Sequence, residues 1–187
     1  MRTRLVPALF ATALWLGCEG KLFTIHVDEE AETVVPRGTL FEALLGDLGF
    51  YDFFELDVTS SQELQNRGVE PGDVKDVGLE SFELVVVSPS DGDLSFLGSM
   101  DVYVSAPGLD ELLVASVDDI PEGVKFIDLT VEDVDLTAYV VSRSMTFTTD
   151  ISGHRPEQET TVKAVVSLAV GVTGQGACNQ LSDDSGA

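Results

Sequence analysis

Between Val162 and Val172 the apolar residues fall on every second position. Val162, Ala164, Val166, Leu168, Val170 and Val172 share one side, against Lys163, Ser167 and Thr173 on the other. Six successive matches to a period of two describe a pleated strand with one face on a core; a helix, at 3.6 residues per turn, would scatter the same residues around its axis. Such a strand cannot stand alone. Its backbone N–H and C=O groups need neighbouring strands, and its apolar face needs a second layer.

The same alternation supplies those neighbours. Lys21 to Val27 reads as a first strand, through Leu22, Phe23, Ile25 and Val27. Phe50 to Val58 places Phe54, Leu56 and Val58 on one side, and Leu79 to Val87 does so with Phe82, Leu84 and Val86. Met100, Val102 and Val104 alternate with Asp101, Tyr103 and Ser105 up to Pro107-Gly108. Glu111 to Val117 and Val124 to Val131 follow, and Ser144 to Ser152 alternates through Met145, Phe147 and Ile151. Ser88-Pro89-Ser90-Asp91-Gly92-Asp93 and Asp118 to Gly123 have turn composition. In the acidic stretch Glu132 to Tyr139, Leu136 and Tyr139 are expected to plug one end of a core.

Helical signals are few. Thr39 and Glu42 have capping-box spacing, and Phe41, Leu44, Leu45 and Leu48 mark one helical face before Gly49. Ser60 to Arg67 is a polar connection with room for one helical turn, and a loop around Pro71-Gly72 follows. About eight short strands separated by turns predict an all-β fold, an antiparallel two-sheet sandwich of immunoglobulin-like type with one short N-terminal helix. A closed β-barrel is the alternative. The cysteine pair and buried tryptophan of true immunoglobulin domains are absent: Trp15 is the only tryptophan and lies before the first strand.

The 44% hydrophobic content suits one domain, placed at residues 21–173, with 174–187 as a disordered tail. Its acidity is the other constraint. With 33 Asp and Glu against 10 Lys and Arg, the formal charge is -23. Phosphate backbones need basic patches, so nucleic acid is an unfavourable partner, and anionic lipid headgroups repel the body. The two cysteines, Cys18 and Cys178, flank the domain, so its stability comes from packing.

The residues before the first strand carry an address. Arg2 and Arg4 precede an apolar run from Leu5 to Gly17, the length of a signal core and short of the roughly 20 residues of a membrane span. The run ends in Leu14-Trp15-Leu16-Gly17-Cys18. This junction resembles the bacterial lipobox. The resemblance implies a signal peptide over 1–17, cleavage between Gly17 and Cys18, acyl chains of the palmitate kind on Cys18, and a tether over 18–20. Removal of Arg2 and Arg4 leaves eight cations against the 33 acids, a charge near -25. With its strand pattern, the chain resembles bacterial lipoproteins that pair such an anchor with an immunoglobulin-like body and carry no assigned activity. The resemblance implies a cell-envelope location, with the outer membrane ahead of the inner, and a membrane contact made through lipid. It assigns no catalytic or binding residue.

Side-chain chemistry points away from turnover. The only histidines are His26, in the first strand, and His154, in the loop Ser152-Gly153-His154-Arg155-Pro156. No GxSxG, HExxH or glycine-rich phosphate loop occurs. Catalytic zinc usually takes three protein ligands, which two isolated histidines do not provide. Calcium is the specific chemical option, since carboxylates and backbone carbonyls are its ligands. The candidates are Asp91 and Asp93, Asp118 and Asp119, and Glu132, Asp133 and Asp135, none at EF-hand spacing. Without calcium, no cofactor is expected. The expected function is a non-catalytic binding or scaffolding module with a protein partner in the envelope. An envelope carrier of a small apolar ligand is the alternative, and a calcium-stabilised adhesion module the third.

Overall fold

The structure, a computed structural model, describes residues 21–38, 54–56, 61–142 and 145–173. The signal and lipidation positions, the helix expected over Thr39 to Gly49, Cys178 and the tail lie outside the described residues.

Among the described residues, nine strands form two antiparallel sheets. They are β1 (Lys21–Val35), β2 (Phe54–Leu56), β3 (Val74–Ser88), β4 (Leu97–Ser105), β5 (Leu112–Asp118), β6 (Phe126–Asp128), β7 (Thr130–Val131), β8 (Met145–Gly153) and β9 (Thr160–Thr173). One sheet has the order β1-β9-β3-β6 and the other β2-β8-β4-β5-β7. The expected all-β sandwich forms, and the two sheets do not close into a barrel.

The strand order has a simple origin. β4 pairs with β5, β3 with β6, β2 with β8 and β1 with β9, each pair nested outside the one before. The chain is one long two-stranded ribbon wrapped so that successive segments alternate between the sheets, which is the jelly-roll arrangement. The immunoglobulin-like order expected from the strand count is different: there the last strand lies at a sheet edge. Here the last strand, β9, runs between β1 and β3. Its composition explains the place. All six of its alternating apolar residues are buried, and its opposite face, which includes Val165, Ala169 and buried Gly171, is nowhere exposed, as suits a strand flanked on both sides.

The inner faces meet in one core. Phe82, Leu84 and Val86 of β3 and Ile25 and Val27 of β1 join the β9 row. Met100, Val102 and Val104 of β4, Met145 and Phe147 of β8, and Val114 and Ala115 of β5 come from the other sheet. Consecutive burial of Val114 and Ala115 follows from a register shift opposite Val102 and Tyr103. Leu136 and Tyr139 plug one end as expected. Leu136 is fully buried beside the short helix α2 (Thr137–Val141), and the Tyr139 hydroxyl donates to the Asp110 carbonyl (2.8 Å).

The stretch expected as one strand from Val124 to Val131 is divided. β6 belongs to one sheet and β7 to the other, and buried Leu129 lies at the crossing. The helical turn in Ser60 to Arg67 is α1 (Gln62–Gln65), whose Leu64 N–H is capped by Ser61 Oγ (3.4 Å). It packs against β1 and brings Glu63 towards Glu29.

Burial first, and Glu63 second, raise the Glu29 carboxyl above its ordinary value. A raised acid holds its proton better folded than unfolded. Its contribution is therefore complete below the unfolded value and lost as pH rises through the folded one. Glu29→Gln is expected to stabilise the protein at pH 7, by under about 1 kcal/mol because water screens half-buried Glu29 from exposed Glu63. The gain shrinks towards acid pH. Urea unfolding at both pH values measures it.

Candidate functional site

Four loops gather at the end of the sandwich opposite α2. The turn after β3 is fixed by Gly92 N–H bonding to the Pro89 carbonyl (3.0 Å). An added Cβ at Gly92 would press on Pro89 Cδ at 3.0 Å, so the tight turn favours glycine. Leu94 and Phe96 leave the turn inward and close this end of the core. Just before them stands Asp93, whose Oδ1 accepts from both the backbone N–H (3.0 Å) and the hydroxyl (2.5 Å) of Ser95. These bonds, with one from the Gly123 backbone, hold the Asp93 carboxyl below the usual carboxylate range.

The other loops are tied to this turn. Leu94 N–H donates to the Val124 carbonyl (2.8 Å), and the Lys125 ammonium donates to the Ser90 carbonyl. His154 N–H donates to the Phe96 carbonyl (2.7 Å), and Gly38 N–H, just after β1, donates to the Pro156 carbonyl (3.3 Å). The result is a half-open cleft of about 240 Å³ between the β3–β4 and β8–β9 loops. Asp91, Asp93, Ser95, His154, Glu157 and Gln158 line it.

Three candidates from the sequence, Asp91, Asp93 and His154, thus share one cleft. Glu157 and Gln158 join them without having been singled out; only folding of the β8–β9 loop against the β3–β4 turn reveals them. A serine, a histidine and an aspartate in one cleft invite comparison with a nucleophilic triad, but the bonds run differently. In a triad the base bonds the nucleophile and the acid orients the base. Here the Ser95 hydroxyl is given to Asp93, and the His154 ring makes no hydrogen bond among the described residues. Asp93 acts as a turn brace.

The remaining candidates are dispersed. Asp118 ends β5 and Asp119 follows it with a positive φ of 55°. Glu132, Asp133 and Asp135 follow β7 towards the α2 end, where Asp135 Oδ1 accepts from the Thr137 N–H (2.9 Å) and hydroxyl (2.5 Å). Those bonds lower the Asp135 carboxyl. Among the described residues, no three His, Cys, Asp or Glu gather where they could hold a metal ion. His26 is exposed on the outer face of its sheet, as expected for its strand position, but has a partner that spacing did not suggest. Its Nδ1 meets Glu80 Oε2 at 2.7 Å, reaching across β9 where His26 is paired with small Ala169.

Among the described residues no helix is long and apolar enough to cross a membrane. Compared with protein-family models, curated proteins and solved structures, the chain matches none.

Proposed function

We propose that this chain is a lipid-anchored cell-envelope module that works by binding, with its loop end presented away from the bilayer. The observation that carries the reading is the course of β1. It begins at Lys21, three positions after Cys18, and runs unbroken to Val35. Fifteen residues at about 3.4 Å per step span roughly 45–50 Å. Lys21 is paired with Thr173 at one pole, while Gly38 meets the β8–β9 loop at the other. Lipid on Cys18 therefore moors the α2 pole and leaves the cleft of Asp91, His154 and Glu157 outermost. One acyl chain holds a protein only marginally, at about 0.8 kcal/mol per buried CH₂, so a stable anchor takes more than one.

Binding is favoured over turnover because the cleft's one serine hydroxyl, Ser95, and its partner Asp93 are committed to bracing the β3–β4 turn. The fully buried Phe82, Phe147, Met100 and Leu168 between the sheets favour a packed interior over an apolar-ligand carrier.

The test is palmitate labelling and membrane flotation in a bacterial host, with a photo-crosslinker at Glu157 or at Asp135. The wild type should take label, float with membranes and crosslink an envelope protein from Glu157 but not from Asp135. Cys18→Ser should lose both label and flotation. A labelled, floating Cys18→Ser chain overturns the anchor, and capture from Asp135 alone overturns the orientation.

A further inference from the structure

The outer edge of β1 is unusual for an edge strand. Sheet edges are ordinarily blunted by short strands, charged side chains, proline or bulges, because their open N–H and C=O groups template further pairing. β1 has 15 residues, no proline, and its one register irregularity lies at its start, between Lys21 and Phe23. It pairs with β9 on one side, and among the described residues no strand pairs with the other. What guards it is negative charge. Asp28, Glu29, Glu30 and Glu32 follow one another along the strand, with Lys21 as its only cation.

That charge selects the occupant. A second copy of a chain carrying -23 would set acid against acid across the new ladder. A cationic strand meets the opposite situation. On the outer face Asp28 accepts from the Ser167 hydroxyl (2.7 Å) and Glu30 pairs with Lys163 (3.1 Å), so that row already has cross-strand partners on β9. Glu29 points towards the core side beside Glu63, and no ion pair reaches it among the described residues. Both its partial burial and the neighbouring acid disfavour its charge, and the attraction of a cation arriving along the open edge offsets them.

We propose that the open edge of β1, between Thr24 and Glu32, takes an extended lysine- or arginine-rich segment of a partner protein by strand addition. Main-chain hydrogen bonds supply affinity, and alternate side chains supply selectivity. The guest has a period of two, since side chains on one face lie beside His26, Asp28, Glu30 and Glu32, and those on the other beside Ile25, Val27 and Glu29. This rests on the binding reading above and adds to its loop-end contact a second one, along β1, with the class of partner segment that it takes.

The full chain in mild detergent is titrated with a synthetic peptide of about eight residues alternating lysine and valine. The controls are the same peptide N-methylated at alternate residues, which keeps the charge but cannot pair, and a peptide alternating glutamate and valine. Affinity is read by fluorescence anisotropy, and the location by amide hydrogen exchange. The lysine peptide should bind and slow exchange over Thr24 to Glu32 by about tenfold or more, with neither control doing so. Glu29→Lys with Glu32→Lys should weaken the lysine peptide by at least about tenfold and admit the glutamate one. Equal binding of the N-methylated peptide, protection at the loop end instead of β1, or no binding overturns the proposal. Palmitate labelling and flotation read the anchor independently, so failure here leaves that part of the reading standing.

Discussion

Gly153→Ala lowers stability by about 3 kcal/mol or more, and the melting temperature by about 10 °C. Gly153 ends β8 with φ at +148°, a backbone region that side-chain-bearing residues rarely enter. Conformation is the smaller part of the cost. An added Cβ would be driven into the Phe96 carbonyl oxygen, with the Gly98 nitrogen and Leu97 Cα each at 3.0 Å. All three are backbone atoms, so no side chain can swing aside. To admit the methyl, β4 and β8 must part where Leu97 is paired with Gly153. The neighbouring His154–Phe96 bond is then lost, and the cleft wall moves with it. Gly108→Ala is the control that separates the two terms. Gly108 also has a positive φ, +81°, but nothing lies within 4 Å of its added Cβ. It should cost about 1 kcal/mol, from backbone strain alone. Equal losses for the two variants in urea unfolding would show that the approach of β4 to β8 is not the constraint.

The contrast between these glycines marks what could be read in advance. β3, β4, β8 and β9 were legible because one face of each is apolar at every second position while the other is interrupted by polar residues, and burial follows that alternation through Phe82, Val102, Phe147 and Leu168. β1 was only half legible. Beyond Val27 the residues Asp28, Glu29, Glu30 and Glu32 have the composition of a loop, yet the strand continues to Val35. It can do so because an edge strand exposes its outer face, and because Ala31 and Val35 keep the inner alternation going. The split of the Val124 to Val131 stretch into β6 and β7 was not legible, since both pieces suit a strand and only wrapping of the ribbon moves the chain across at Leu129. The jelly-roll order was hidden for the same reason: alternation reports which face is buried, whereas strand neighbours are decided by pairing between Lys21 and Thr173, at opposite ends of the domain. The cleft stands between. Asp91, Asp93 and His154 could each be named, but their meeting depends on two loops some 60 residues apart in sequence.

The largest loss from a core change is expected at Phe82→Ala, about 3–5 kcal/mol. Phe82 is 1% exposed on the inner face of β3, paired with Val166 of the central strand, and its carbonyl accepts the Leu129 N–H (2.9 Å). Truncation removes the ring's transfer free energy and leaves a hole that a two-sheet interior closes only in part, because each sheet moves as a unit through its ladder. A domain of this size holds about 5–15 kcal/mol in all, so the variant forfeits a large fraction of its stability. With no cysteine between Lys21 and Thr173, no cross-link within the domain offsets the loss. Phe82→Leu should cost less, about 1–1.5 kcal/mol, since it keeps most of the volume. Ser81→Ala, on the opposite face of the strand, should stay within about 0.5 kcal/mol. Urea unfolding with an unchanged slope measures all three. A Phe82→Ala loss below about 1 kcal/mol would mean that the space between the sheets is not filled, and would move the balance from a packed binding module towards a carrier with an interior cavity.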